Sequence, residues 1–500
     1  MSVATPRRGG AADPARLLAW EVLRAVDERG AYANLMLPAL MAGRRLSSRD
    51  RGLATELTYG SLRAMGTLDG VLGTVTSRPV DTVDPPVRDA LRLGTYQLLS
   101  TRVPARAAVA STVDLVRATC GERPVRFANA VLRRVAARIE ETEGDIAVLL
   151  SAPDVNVDPA GHLTVVTAHP RWIVDVVLEA LGGDAAAARA ALVANDTRPT
   201  VHLVARPGRI SADELVEQAA AVGLRARRSV FSPYAVYLDG GDPGALPAVR
   251  AGAAAVQDEG SQLVALALAA VPTVGRLTGL TVDLCAGPGG KAALLAGALA
   301  ADQPPAFGQP PAADQPSPSQ PGQPPRAERR PRLLALEPRA ARAGLVEASL
   351  AGFPDAWTVR ADGRLPPVRP GTADRVLVDV PCSGLGALRR RPEARWRRTP
   401  ADVAALVPLQ RQLLVAALDL VRPGGVVAYV TCSPHPEETS EVVMAVVRQR
   451  ADIAILDARR SEALAGALAG TSAEGPFVQL WPHLHGTDAM FLALLRRRSD

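Results

Sequence analysis

The chain has 500 residues, room for two to four domains at roughly 150 residues each, and with 48% hydrophobic residues it can bury sizeable cores. Aromatic residues are only 3%, so alanine, valine, leucine and arginine must build the structure, which favours helices and a parallel sheet over a β-sandwich. The formal charge of +6 points modestly to a polyanionic partner against the bland alternative of an arginine-rich habit; no run reaches ~18 uncharged apolar residues and MSVATPRRGGAADP lacks a signal-peptide core, so a cytoplasmic protein without a membrane partner is expected.

From Pro14 to about Arg138 the pattern is helical. Leu17, Val22 and Val26 mark one helix face, and Ser47-x-x-Asp50 is a capping-box start for a helix carrying Leu53 and Leu57. Pro85-Pro86 opens another helix with Val87, Leu91, Gly94 and Leu98 on one stripe; Val109, Val113 and Val116 mark the next, and Val131, Leu132 and Val135 the last. An all-α domain over 12–145 follows. Over 165–255 helical pieces (173–181, 212–222) alternate with strand-like runs (200–204, 235–238), which predicts a small α+β module.

The third region, 256–500, is organised around TVDLCAGPGGKA, Thr281 to Ala292. Thr281, Val282 and Leu284 read as a buried strand, Pro288-Gly289-Gly290 must turn, and Ala292 to Ala300 restarts as a helix whose N-terminus offers unpaired N–H groups. A phosphate-binding loop would need Gly at Cys285 and Ser or Thr at Ala292, and G-x-G-x-x-G would need Gly at Ala292. Both patterns fail, which leaves a nucleotide-like ligand with few phosphates or none. The Pro/Gln-rich stretch 302–331 has almost nothing to bury and reads as a disordered insertion. With it removed, Glu337 falls about 20 residues beyond the glycine loop, where Rossmann-like folds keep a ribose-binding acid. Strands at 357–359 (Asp362 just beyond), 375–380, 426–431, 477–480 and 491–495 complete a doubly wound, mostly parallel sheet with ligand sites at the strands' carboxyl ends.

Four cysteines, Cys120, Cys285, Cys382 and Cys432, stand far apart with no CxxC pair, so no disulfide framework and no metal site are expected. Cys120 reads as an inert thiol and Cys285 as packing within the glycine loop. Pro381-Cys382-Ser383 and Thr431-Cys432-Ser433 each follow a strand; neighbouring parallel strands lie about 4.8 Å apart, so both thiols should open into one crevice. A lone cysteine is usually structural, but two at adjacent strand ends suit one reaction. Carbon 5 of cytosine is too electron-poor to attack a methyl donor until a thiolate adds at carbon 6, and a base must then remove the carbon-5 hydrogen to expel the thiol.

YGSLRAMGTLD (Tyr59 to Asp69), LRLGTYQLL (Leu91 to Leu99) and FANAVLRR (Phe127 to Arg134) resemble the NusB-type RNA-binding helical domain. DLCAGPGGK, Glu337 with Arg342, Asp362-Gly363, DRVLVDVPCSGLGALRRRPEARW (Asp374 to Trp396), PLQRQLL (Pro408 to Leu414) and YVTCSPHPEE (Tyr429 to Glu438) together resemble the RNA 5-methylcytosine methyltransferases acting on bacterial small-subunit ribosomal RNA. That resemblance implies S-adenosyl-L-methionine at Cys285, Ala286, Gly287, Pro288, Gly289, Gly290 and Lys291, with Glu337 on ribose beside Arg342, Asp362 near adenine and Asp379 close to the reacting groups. It implies Cys432 as nucleophile and Cys382 as the residue assisting release. Glu337 stands where aspartate is commoner and Ala489 where glycine is usual; neither removes a catalytic group. Lys291 is expected near the substrate or the donor's carboxylate. Arg389, Arg390, Arg391, Arg395 and Trp396 read either as a solvated charge run or, beside the thiols, as contacts to RNA phosphates and a stacked base, the reading preferred. The substrate expected is an unstacked cytosine in a ribosomal RNA loop or bulge, and the protein a monomer. The rivals are the same chemistry on transfer RNA or DNA, and a non-catalytic RNA-binding assembly or antitermination factor.

Overall fold

The computed structural model describes residues 12–301, 330–469 and 475–499. The expected insertion at 302–331 therefore lies, but for its last two positions, outside the described residues. The chain divides into two compact units, one formed by residues up to Arg198 together with Leu388–Arg398, the other by Pro199–Ala387 and the chain from Thr399 onward. The helices at 159–166, 171–180 and 185–196 thus group with the helical unit, and the α+β module begins after Arg198 rather than at 165.

The helical unit is built from Pro14–Arg29, Ala33–Ala42, Ser48–Arg63, Met65–Val75, Pro85–Ser100, Ala105–Cys120 and Val125–Glu141, followed by the shorter helices above. Local chemistry sets the ends: Asp13 accepts from Arg16 N ahead of Pro14, Gly30 closes the first helix in the left-handed region, and Ser47 accepts from Asp50 N. Leu18, Val22, Leu57, Leu91, Val131 and Leu132 are buried in one core. Asp89 is buried among them, paired with Arg24 at 2.8 Å and Arg92 at 3.0 Å.

The returning segment 388–398 corrects one expectation. Arg395 is 0% exposed; its Nη1 donates to Arg63 O (2.9 Å), Ala168 O (3.1 Å) and Asp196 Oδ1 (2.8 Å). Trp396 Nε1 donates to Leu62 O at 3.2 Å, and the indole packs so closely on Gly66 that a Cβ there would lie 2.3 Å from the ring. Arg397 donates to Val26, Gly30 and Ala31 carbonyls, closing the end of the first helix. Arg395, fully buried, therefore anchors the helical unit and cannot meet RNA phosphate, and Trp396, partly buried, is tied to the same unit through its indole. Arg389 is also buried, Arg390 half-buried, and Arg391 exposed with its guanidinium 5.8 Å from the Tyr32 ring centre.

The second unit holds two sheets. The smaller comprises β1 (Val201–Ala205), β2 (Ala226–Arg228), β3 (Ala235–Leu238) and β4 (Ala254–Val256) in the antiparallel order β2-β3-β1-β4. The larger contains β5 (Leu280–Asp283), β6 (Arg332–Leu336), β7 (Ala356–Val359), β8 (Ala373–Asp379), β9 (Val421–Thr431), β10 (Ile453–Leu456), β11 (Val478–Gln479) and β12 (Phe491–Arg497). Its order is β7-β6-β5-β8-β9-β12-β10, with β11 on β12. The first five of these are mutually parallel, and the last strands run antiparallel. The chain winds outward from β5 through β6 to β7, then resumes on the other side at β8, so the carboxyl ends of β5 and β8 flank a topological switch point. The helix Pro400–Leu420 is the one described helix long and apolar enough to cross a membrane; Val403, Leu413, Leu414, Ala417 and Leu418 are buried, the last four in the core that also holds Val376 of β8 and Val427 of β9.

Candidate active site

The glycine loop starts where β5 ends. Asp283 Oδ1 accepts from Cys285 N (3.1 Å), Ala286 N donates to Leu336 O at the end of β6 (3.0 Å), and Gly289 N donates to Ala286 O (2.8 Å). Gly287 (φ 59°) and Gly289 (φ 91°) both occupy left-handed conformations. A Cβ on Gly289 would also meet Ser349 Cβ at 2.8 Å and Val346 Cα at 2.9 Å, so only glycine lets the chain enter the helix Gly290–Ala300 here. The loop from Cys285 through Ala286, Gly287, Pro288, Gly289 and Gly290 to Lys291 is thus a fixed turn at a helix N-terminus.

Polar groups collect around it. Asp283 is enclosed, and burial pushes its carboxyl up to about 7 against the opposing hydrogen bond from Cys285 N. Its Oδ2 has no partner, and neither amide atom of Gln257, which is 8% exposed, has one. Gln257 Oε1 lies 3.4 Å from where a Cβ on Gly290 would stand. A site with orphaned buried polar atoms beside free helix N–H groups suits a ligand end carrying both an ammonium and a carboxylate. Glu337, buried at the end of β6, accepts from Arg339 N (3.0 Å), and Arg342 Nε stands 3.8 Å from its Oε2. Asp362, beyond β7, is held well ionised by hydrogen bonds from the Arg364 side chain and backbone. Asp283, Glu337 and Asp362 sit at carboxyl ends of the parallel strands β5, β6 and β7, while Gln257 comes from the end of β4 in the smaller sheet.

Lys291 reaches from the helix start to Asp379 at the end of β8, Nζ to Oδ2 2.7 Å. Burial alone would lower the ammonium, but Asp379, with help from Cys432 and Asp283, outweighs it and the net shift is upward. The two thiols stand together, Cys382 Sγ 3.4 Å from Cys432 Sγ. β8 and β9 are paired through Asp379↔Val430, and Gly386 N donates to Cys432 O at 2.9 Å, so backbone bonds on both sides fix the two turns. The Cys382 thiol is pushed well up by its hydrogen bond to Cys432, by burial and by the charges of Cys432, Glu438 and Asp379, so it keeps its proton at neutral pH; in the contact between the two sulfurs either one can be the donor. Cys285 is also pushed well up, by burial first and then Asp283, which leaves it an unreactive thiol in the loop.

Asp283, Gln257, Gln410 and Glu438 escaped the sequence reading. Asp283 carried a signal, an acid closing an apolar strand ahead of a glycine turn; the other three have none, since their places depend on neighbours far away in the chain. Among the described residues no cluster of His, Cys, Asp or Glu could hold a metal ion.

Residues 327–496 match the family described as 16S rRNA methyltransferase RsmB/F, and residues 13–137 the NusB family. A Mycobacterium tuberculosis (strain H37Rv) protein named as a methyltransferase, Rv1407, is 50% identical over 498 residues, covering 99% of each chain. A Synechocystis protein named as ribosomal RNA small subunit methyltransferase B is 31% identical, covering 97% of this chain and 99% of its own. The crystal structure of PH0851 superposes with a TM-score of 0.70 at 19% identity, over 98% of this chain and 100% of that one, a likeness of fold.

Proposed function

The chain belongs to the RsmB/F family of RNA methyltransferases, and from that premise we propose that it forms 5-methylcytosine in small-subunit ribosomal RNA through a covalent bond between Cys432 and the base. The observation that carries this reading is the pair of thiols 3.4 Å apart at the ends of adjacent parallel strands, beside the Lys291–Asp379 pair.

The residues around the glycine loop suit S-adenosyl-L-methionine: Glu337 with Arg342 would hold ribose hydroxyls, Asp362 the adenine end, and Asp283, Gln257 and the loop N–H groups the amino-acid end. When bound, the donor supplies an electrophilic methyl group. Cys432 gives up its thiol proton to solvent and adds as the thiolate to carbon 6 of an unstacked cytosine, and the Lys291 ammonium, held charged by Asp379, stabilises the electron density pushed into the ring. After methyl transfer, Asp379, three residues before Cys382, takes the carbon-5 hydrogen. The carbon–sulfur pair then returns to Cys432, whose departing sulfur receives the Cys382 hydrogen bond. NusB-like helices suit a loop or bulge in RNA, reached by a cytoplasmic, monomeric enzyme.

Unmodified small-subunit ribosomal RNA incubated with labelled donor and mapped to one base is the test. Wild type should label one cytosine at carbon 5, Cys432→Ala should label none, and Cys382→Ala should accumulate a methylated protein–RNA adduct resistant to denaturation. Labelling of a nitrogen or ribose oxygen, or full activity of Cys432→Ala, would overturn the reading.

A further inference from the structure

We propose that Glu438 is a positioning residue for the release step, holding the Cys382 turn so that its thiol faces the Cys432 sulfur. This rests on the cysteine-adduct reading above. Glu438 closes the short turn Pro436–Glu438 that follows Cys432 and is 0% exposed. Its Oε1 accepts from Ser383 N at 2.7 Å and from Gln410 Nε2 at 3.0 Å, and its Oε2 accepts from Ser383 Oγ. Gln410 Nε2 also donates to Pro381 O at 3.0 Å. The residues on both sides of Cys382 are thereby held by one carboxylate and the amide bonded to it.

The same carboxylate ties that turn to the second cysteine. Tyr429 OH donates to Glu438 O at 2.8 Å, fixing the Glu438 backbone to β9 three residues before Cys432. Ser383 Oγ stands 3.2 Å from Ser433 Oγ, and Ser433 Oγ accepts from His435 N at 3.1 Å, so the serines after each cysteine meet. A carboxylate withdrawn from water is costly unless donors replace its hydration. Its replacements here come from Ser383, beside Cys382, and from Gln410, which also grips that turn; a charge-assisted bond to a backbone N–H gives strong directional control. The negative charge also favours the protonated form of Cys382, the form that donates to the departing sulfur.

Glu438 touches neither reacting sulfur, so its loss should separate the two halves of the reaction. In Glu438→Gln, methyl transfer in a single turnover should stay within about threefold of wild type while multiple turnover falls by about tenfold or more, with the methylated covalent adduct accumulating as in Cys382→Ala. Alkylation of Cys382 should also begin at lower pH in the variant than in wild type. Ser383→Ala, which removes one donor and leaves the carboxylate, carries the test if Glu438→Gln does not fold, and should shift the balance the same way by a smaller factor. Equal slowing of transfer and release with no adduct, or wild-type turnover, overturns the assignment. Failure of the underlying reading looks different: neither wild type nor Cys382→Ala would give any adduct, and Cys432→Ala would still methylate.

Discussion

Asp283 is an acid on which burial acts without a cation in hydrogen-bonding contact, and the consequence is a pH dependence with a defined sign. Its folded pKa, about 7, lies above the ordinary value of 3.8, so its contribution to stability is full below about 3.8 and is lost as pH rises through 7. Without donor, wild type should therefore lose up to about 4 kcal/mol relative to Asp283→Asn between these limits; thermal denaturation at pH 5 and pH 8 checks it, and parallel curves for the two proteins would contradict it. Lys291 is also shifted upward, Asp379 outweighing burial, but as a cation it stays charged through neutral pH, so its own loss of stability lies at far higher pH. Lys291→Met should lower kcat/KM by about a hundredfold, the scale of one lost charge-stabilising donor, with donor affinity measured separately by titration. The residues the sequence identified at this scale were those whose chemistry is carried by neighbours in the chain, such as the cysteines in their Pro-Cys-Ser and Thr-Cys-Ser turns. Gln257 and Gln410 look like ordinary polar residues until their surroundings are known.

At the scale of elements, the glycine turn decides whether β5 delivers its ligand groups to a helix N-terminus. Gly289→Ala must place a side chain at φ 91° and against Val346 and Ser349, which should cost about 1–3 kcal/mol and weaken donor binding. Calorimetric titration with S-adenosyl-L-methionine, alongside the thermal midpoint, measures both effects. β5 and β8 were legible because an apolar run ends abruptly in a polar turn, and β3 agrees with the expected 235–238. β2, β4 and β10 were missed, since three or four residues are too few to establish a period. The register between β8 and β9, which brings the sulfurs to 3.4 Å, is a property of pairing and is written in neither strand alone.

For the molecule as a whole, the chain leaves the second unit after Ala387, contributes Leu388–Arg398 to the helical unit, and returns at Thr399. Arg395→Ala would remove the partner of Asp196 and the donor to two carbonyls, so the helical unit should lose about 3 kcal/mol. Residues 12–198 expressed alone should melt at a lower temperature than the same polypeptide mixed with a peptide of residues 388–398; no shift on adding the peptide would show that the segment contributes no stability. By itself the sequence determined the helical and Rossmann-like classes, the succession of strands along the chain from the glycine loop onward, and the family, because apolar periodicity and short turn motifs are local chemistry. Tertiary structure decided where Arg395 and Trp396 go and which acid braces Cys382. A charge run is solvated or buried according to the carbonyls and carboxylates that meet it, and those of Arg63, Ala168 and Asp196 lie about two hundred residues or more away in the chain.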